Sequence, residues 1–534
     1  MHALVRCIIL VSALALLFGG VLGDPVCRFA PTYSGHALFT NASDRLRFLE
    51  AHASMERHFM HYIGIDPSTK LTHDGQRLSI ETGRPNKAPH MFSAPSKESV
   101  HVAVLAKVLD KSSAIANVTY TIPEALEILE QKVTAMERFH AMFPGFGGFM
   151  PWIAFDGKGG VAPTWDWQNR VPSLDNGELF WAAFAVSSIL NRSEYSLVKP
   201  GLGARWTHVW KNMVTNAKAV FYAGNGNFRT VTSIRNQSWP VANNTYTGQP
   251  GYLDDPYEGE LFTDFVYLFC DDLNATEKEQ MWVNKRGMLQ KVDLPVRPNA
   301  SSSAETVNIT VQRGFWFSAH EQWKYLMLPY HKSETNWRVF RNGERARTWY
   351  ARTYINAPGL WASVNGPISN DNVSFPYYSD CGIPEIAFET VTHDDVITPY
   401  GAFALILASQ PHGVEWLHRM LTYRKGQNCY GSTEAFNITG TSIAPLTTWD
   451  SKITTLAATI GGIADINAEI LKSMGMLDTL VSKIEFEWAR VFALPLSGEH
   501  LAFLRPGAAV VPDLLPDFTT CSSTSPPCVY STLQ

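Results

Sequence analysis

Apolar residues return at three- and four-residue spacing in about a dozen stretches of this chain, and no run of regular alternation competes with them. Pro123 opens one of the clearest. Leu126, Leu129, Val133 and Met136 share one face, Glu127, Glu130 and Lys132 lie on the other, and a proline suits a first helical turn. Similar patterns predict helices near 43–63, 175–191, 202–223, 258–270, 275–284, 318–328, 336–351, 395–409, 412–422, 452–473 and 482–493. Between them run long spacers rich in Gly and Trp, such as "FPGFGGFMPWIAFDGKGG" (143–160), "WDWQNRVPSLDNGE" (165–178) and the 224–256 loop, which has room for a short β hairpin. Long loops between paired helices are where function collects. The fold class is therefore mainly α, with long loops and minor β hairpins. Helix count suggests a toroid of six inner and six outer helices, although a generic helical repeat would count the same way.

Residues 1–23 read as an export signal, with Arg6 ahead of an apolar stretch, Ile8 to Phe18, too short to span a bilayer. No later segment has eighteen uninterrupted apolar residues, so a secreted, extracellular protein that does not enter a membrane is expected. Six cysteines remain after the signal: Cys27, Cys270, Cys381, Cys429, Cys521 and Cys528. An even set suits disulfides in an oxidising compartment, and Cys521 with Cys528 would close a local loop. Ten N-x-S/T sequons, from Asn41 to Asn437 and including Asn299, suit N-linked glycans. No Pro/Ser linker divides the body of the chain. We read one catalytic domain over 24–510 and a Pro/Ser/Thr/Cys-rich tail over 511–534, in an expected monomer. A net charge of −5 with no long Lys/Arg run gives nucleic acid no footprint.

Acids gather where apolar helices begin. "DDPYEGELFTDF" (254–265) sets Glu258 and Glu260 in or just before the first turn of a helix striped by Leu261, Phe262, Phe265, Val266 and Phe269. An exposed acid at a helix start contributes roughly 0.3–1 kcal/mol through the amides and the helix dipole, and capping is the commoner role for any one of them. The aromatic neighbours Tyr257 and Phe262 point further, because partial desolvation raises a carboxyl pKa as a general acid requires. Asp450 in "PLTTWDSKITTLAATIGG" is expected to cap the next such helix, and Asp175 and Glu178 open a nearly all-apolar one in "SLDNGELFWAAFAVSSIL". In a toroid the inner helix starts face one end of the cavity, so these acids would converge. Paired carboxylates in an aromatic-lined cavity are the equipment for breaking a glycosidic bond. Trp165, Trp167, Trp316, Trp361 and Trp449 have the faces to stack on sugars, though core packing is the usual use of each.

Other chemistries find less support. The chain has no H-E-x-x-H, no Cys/His zinc spacing and no G-x-S-x-G elbow, and its glycines lack the nucleotide fingerprint. "THDDV" (392–396) reads better as a polar helix start than as a cation site. No metal and no cofactor is required by the residues.

The phrases "SLDNGELFWAAFAV", "YYSDCGIPEIAFETVTHDDVITPYGAFALILASQPHGVEWLHRML", "CYGSTEAFN" and "WDSKITTLAATIGGIADI" resemble the secreted endo-β-1,2-glucanases of glycoside hydrolase family 162, over about 175–470. The resemblance implies an (α/α)6 toroid that cleaves internal β-1,2-glucosidic bonds with inversion and releases sophoro-oligosaccharides. It places the general acid at the "PYEGELF" helix start, on Glu260 or Glu258, with Glu260 preferred because it directly precedes the apolar run. The general base falls on Asp450, and proton transfer is expected to run through a substrate 3-hydroxyl and ordered water. Asp175, Glu178, Tyr430 and Glu434 become substrate-shaping positions, with Trp165, Trp449 and Tyr257 as further contacts. Other readings are an exo-acting enzyme, a transglycosylase or a lyase on the same toroid, or a glycan-binding protein without catalysis.

Overall fold

A computed structural model of the protein describes residues 26–249, 251–297, 306–507 and 514–522. Six helical segments form a closed inner ring in chain order: Pro95–Asp110, Leu174–Leu190, Glu260–Phe269, Lys324–Met327, Phe403–Ala408 and Trp449–Thr459. Each packs on the next and the sixth returns to the first. Longer amphipathic helices flank them. Ile122–Met142 lies against the first inner helix, Leu202–Phe221 against the second and third, Gln410–Leu421 against the fifth, and Ala42–His58 against the sixth. This is the (α/α)6 toroid.

The ring is tight because the inner helices, enclosed by others, bury residues on every face. In the second, Phe180 stacks on Phe265 of the third at 4.4 Å between ring centres, and Trp181 donates its indole N–H to the Leu261 carbonyl. Gly177 permits this approach: a Cβ there would stand 2.5 Å from the backbone nitrogen of Phe262.

The first inner helix escaped sequence analysis. "PSKESVHVAVLAKVLD" shows valines at 100, 102 and 104 and buries fourteen of its residues, so it has no polar stripe for a helical period to reveal. The stretch expected as one helix over 452–473 is two, Trp449–Thr459 and Ala464–Ser473, parted by Gly461 and Gly462 at positive φ. The fourth and fifth inner segments begin as 3-10 turns, Ala319–Gln322 and Pro399–Ala402.

Strands are short and confined to loops, the 224–256 hairpin among them. Two sheets position the site. Gly75–Arg77 pairs antiparallel with Leu446–Thr448, which sets Asp74 beside the start of the sixth inner helix, where the Trp449 N–H donates to the Asp74 carbonyl. Phe92–Ser93, Ile153–Phe155 and Val161–Pro163 form a second sheet at the same end.

Cys521 pairs with Cys27 rather than with Cys528, which lies outside the described residues, so the bridge joins the two ends of the domain across 494 positions. Phe518 beside it is fully buried, so part of the expected tail belongs to the core. The expected export signal and Asn299 also lie outside the described residues. Among the described residues no helix is long and apolar enough to cross a membrane.

Candidate active site

All six inner segments carry polar side chains at their N-terminal ends, and contacts and charges link these around one mouth of the ring. They are Lys97, Asp175 with Glu178, Glu258, His320, Tyr400 and Asp450, taken around the circle. Lys97 Nζ lies 2.9 Å from Asp450 Oδ2 and 3.3 Å from Asp74 Oδ1, and His90 Nδ1 lies 3.0 Å from Asp74 Oδ2. Lys97 also stands over the Trp152 ring, whose Nε1–H donates to Asp175 Oδ2 at 3.1 Å. Glu258 Oε1 is 3.6 Å from His320 Nε2, and His320 Nδ1 is 2.9 Å from the Tyr400 hydroxyl. Trp323 donates its indole N–H to that same hydroxyl oxygen.

Asp450 can face the mouth because it does not cap its helix. Thr448 does, accepting from the Ser451 N–H, and this corrects the capping role expected of Asp450. Asp450 and Glu258 keep side-chain exposures of 26% and 13%, so both are open to a ligand from the ring mouth. The expectation for Glu260 is also corrected. Glu260 is 1% exposed, ion-paired at 2.7 Å with Lys324 Nζ and hydrogen-bonded by Tyr330, in an interior that a sugar cannot enter. Gly259 between the two acids starts the helix, so Glu260 turns into the core and Glu258 stays at the mouth.

The electrostatics separate the acids. Burial, then the charges of Asp255, Glu321, Asp175 and Asp450, holds the Glu258 carboxyl well above the carboxylate range. Burial and then Glu258 does the same to Glu178. Burial raises Asp175 to about 6, opposed by Lys97 and the Trp152 N–H. Against the upward push of burial, Lys97 and then His90 hold Asp74 below its ordinary value. The mouth thus contains carboxyl groups that hold their protons more tightly than ordinary carboxylates beside an anionic group tied to a lysine, which is the separation an acid and a base require.

Aromatic rings line one side. His90, Phe92, Trp152 and Trp167 stack in series with centre distances of 6.2, 5.9 and 5.5 Å. Trp165 projects from the loop that carries Trp167 and is 87% exposed. Tyr377, 58% exposed, stands within reach of the charges of Asp450, Lys97, Glu434 and Glu258.

Several expected contacts are elsewhere. Trp449 is fully buried, donates its N–H to the Gly64 carbonyl and packs on Phe59 and His101, so it is core rather than a sugar platform. Tyr257 is buried and donates its hydroxyl to the Arg313 carbonyl. Tyr430 is buried in a hairpin wall, where burial and Arg84 act on its hydroxyl. Glu434 is buried too, accepting from Asn365 and from the Thr448 hydroxyl at 2.7 Å, and so supports the cap of the Asp450 helix from behind. Lys97, His320, Tyr400, Trp152 and Tyr377 were missed. Each is an isolated polar or aromatic residue in sequence, and only the shared position at inner-helix starts would have singled out the first three.

A family model described as endo-β-1,2-glucanase SGL, of glycoside hydrolase family 162, matches residues 71–522. A solved structure of a Talaromyces funiculosus endo-β-1,2-glucanase, a glutamate-to-glutamine mutant in complex with β-1,2-glucan, is similar at 38% identity and TM-score 0.86. The match covers 93% of this chain and 100% of that one. The same enzyme with sophorose matches equally well. An endo-β-1,2-glucanase from Chitinophaga pinensis shares the fold at 15% identity and TM-score 0.54, covering 86% of this chain and 98% of its own. No curated protein sequence matches.

Proposed function

The chain belongs to the endo-β-1,2-glucanase family that its residues 71–522 match, and on that premise we propose that it cleaves internal linkages of β-1,2-glucan with inversion at the anomeric carbon, releasing sophoro-oligosaccharides. Glu258, whose carboxyl is held well above the carboxylate range by burial and neighbouring acids, gives its proton to the leaving glycosidic oxygen, through a substrate hydroxyl where the two do not touch. Asp450, anionic beside Lys97, takes a proton from the water that attacks the opposite face of the sugar. The proton lost by Glu258 ends on the leaving sugar, and the water's proton ends on Asp450. Asp175 and Glu178 shape the subsite between them, and the Trp152 stack offers ring faces to sugars.

One observation carries this reading. Glu258 and Asp450, nearly two hundred positions apart, open onto the same mouth of the ring and act on one another's surroundings. Secretion is supported by the leader-like sequence, the Cys27–Cys521 bridge and exposed sequons such as Asn117 and Asn372.

The test is incubation with linear β-1,2-glucan, with products resolved by chromatography and the first-formed anomer read by proton NMR. Internal cleavage yields a range of oligomers and the α-anomer first. No new reducing ends, or near-wild-type turnover by Asp450→Asn, would refute the assignment.

A further inference from the structure

His320 touches Glu258 with one ring nitrogen and Tyr400 with the other, and the hydrogens in this chain can be counted. An indole N–H only donates, so the Trp323–Tyr400 bond has one direction. A phenol has a single hydrogen to give. Trp323 and Tyr400 are both buried, and among the described residues His320 Nδ1, 2.9 Å away, is the one acceptor bonded to the Tyr400 hydroxyl, so the phenol hydrogen goes there. A neutral imidazole carries one hydrogen, and with Nδ1 accepting, that hydrogen sits on Nε2, the nitrogen facing Glu258. Burial keeps the ring neutral, lowering it to about 4, with Asp450 pushing up and Lys97 down.

We propose that His320 is a positioning residue that presents a tautomer-locked N–H to Glu258 Oε1 and closes onto the carboxylate as Glu258 releases its proton. The proposal rests on Glu258 being the general acid. At 3.6 Å the pair is longer than a hydrogen bond, so the donor does little for the protonated acid. Negative charge on Glu258 draws it in. An interaction that strengthens as the proton departs lowers the barrier rather than the ground state. The donor is needed because of its company: the charges acting on Glu258 from Asp255, Glu321, Asp175 and Asp450 all oppose its ionisation, and Glu178 is coupled to it in the same sense. In the step itself the Glu258 O–H bond breaks, the new O–H bond forms on the leaving sugar, and His320 keeps its hydrogen throughout.

Nitrogen NMR of histidine-labelled full-length protein reads the tautomer with no substrate. The resonance lost in His320→Gln should show Nε2 protonated and Nδ1 bare, Tyr400→Phe should redistribute the proton, and Glu258→Gln should shift the Nε2–H signal. A proton on Nδ1 in the wild type, or indifference to Glu258→Gln, overturns the proposal. In turnover, His320→Ala should lower kcat about 100-fold with KM within about twofold, and His320→Gln, which carries an N–H to nearly the same point, should recover part. Losing a donor to the carboxylate form raises the acid's pKa, so the alkaline limb of kcat should move to higher pH in His320→Ala. A lowered kcat with an unmoved limb would mean a merely structural role and overturns it too. Wild-type protein that leaves β-1,2-glucan intact would remove the glucanase reading alone. The tautomer and its response to Glu258→Gln would still decide the pairing.

Discussion

Lys97 Nζ lies 2.9 Å from Asp450 Oδ2, so a single cation ties the first inner helix to the last across the seam where the ring closes. The same ammonium is 3.3 Å from Asp74 and stands over Trp152, which holds Asp175. Burial opposes its charge, but Asp450 and then Asp74 outweigh burial and keep Lys97 protonated.

Replacing Lys97 by Met therefore leaves Asp74, Asp175 and Asp450 facing one another without their cation. Carboxylates so crowded take up protons at higher pH. The acidic limb of the kcat profile should move upward and turnover at pH 6 should fall by about 100-fold, a loss typical of a missing electrostatic partner at a reacting centre. A full pH–rate profile of the variant checks this, and an unmoved acidic limb refutes it.

Glu258 and Glu260 should separate into activity and stability. Glu258→Gln abolishes turnover and leaves thermal unfolding at or above wild type, since it removes a proton donor crowded by other acids. Glu260→Gln instead strips Lys324 of its buried partner. Breaking such a pair costs about 3–5 kcal/mol. The loss here should be smaller, because Asp264, held up to about 8 by burial and then by Glu260, ionises once Glu260 is neutral and replaces the missing charge. The double variant Glu260→Gln with Asp264→Asn should reach the full cost, a non-additivity that denaturant titration measures.

Asp175 should make stability fall as pH rises. Its carboxyl is raised from 3.8 to about 6, burial first, so the folded state binds the proton more tightly than the unfolded chain. The stability this contributes is present in full below the unfolded value near 3.8 and is lost as pH rises to about 6. Asp175→Asn removes that loss, and at pH 7 it should be stabilised by up to about 3 kcal/mol, with no gain at pH 3.5. Melting curves at the two pH values decide it, and a gain of equal size at both would refute the cause. Activity should fall, because the carboxyl is part of the mouth.

Gly177→Ala should loosen the ring between the second and third inner helices. The new Cβ would meet the Phe262 backbone at 2.5 Å, and overpacking of this kind costs about 1–3 kcal/mol. Glu178 and Glu258 flank the contact, so kcat should drop beyond what the stability loss explains. Kinetics well below the melting temperature separate the two effects.

Periodicity and short phrases are local properties of the chain, so the helical class and the gathering of acids at apolar helix starts, the 258–260 stretch among them, are legible in the sequence. Which acid of that stretch faces the mouth depends on how the chain packs. Glu258 and Glu260 are two positions apart, and one turn of backbone at Gly259 sends one to solvent and the other to Lys324. Tertiary packing also supplied Lys97 and His320. The helix that carries Lys97 is buried on every face and so has no amphipathic signature, and a lone histidine acquires a role only from the groups that surround it. Helix pattern is written along the chain. The environment of a titratable group is set by residues hundreds of positions away, and no short stretch of sequence contains it.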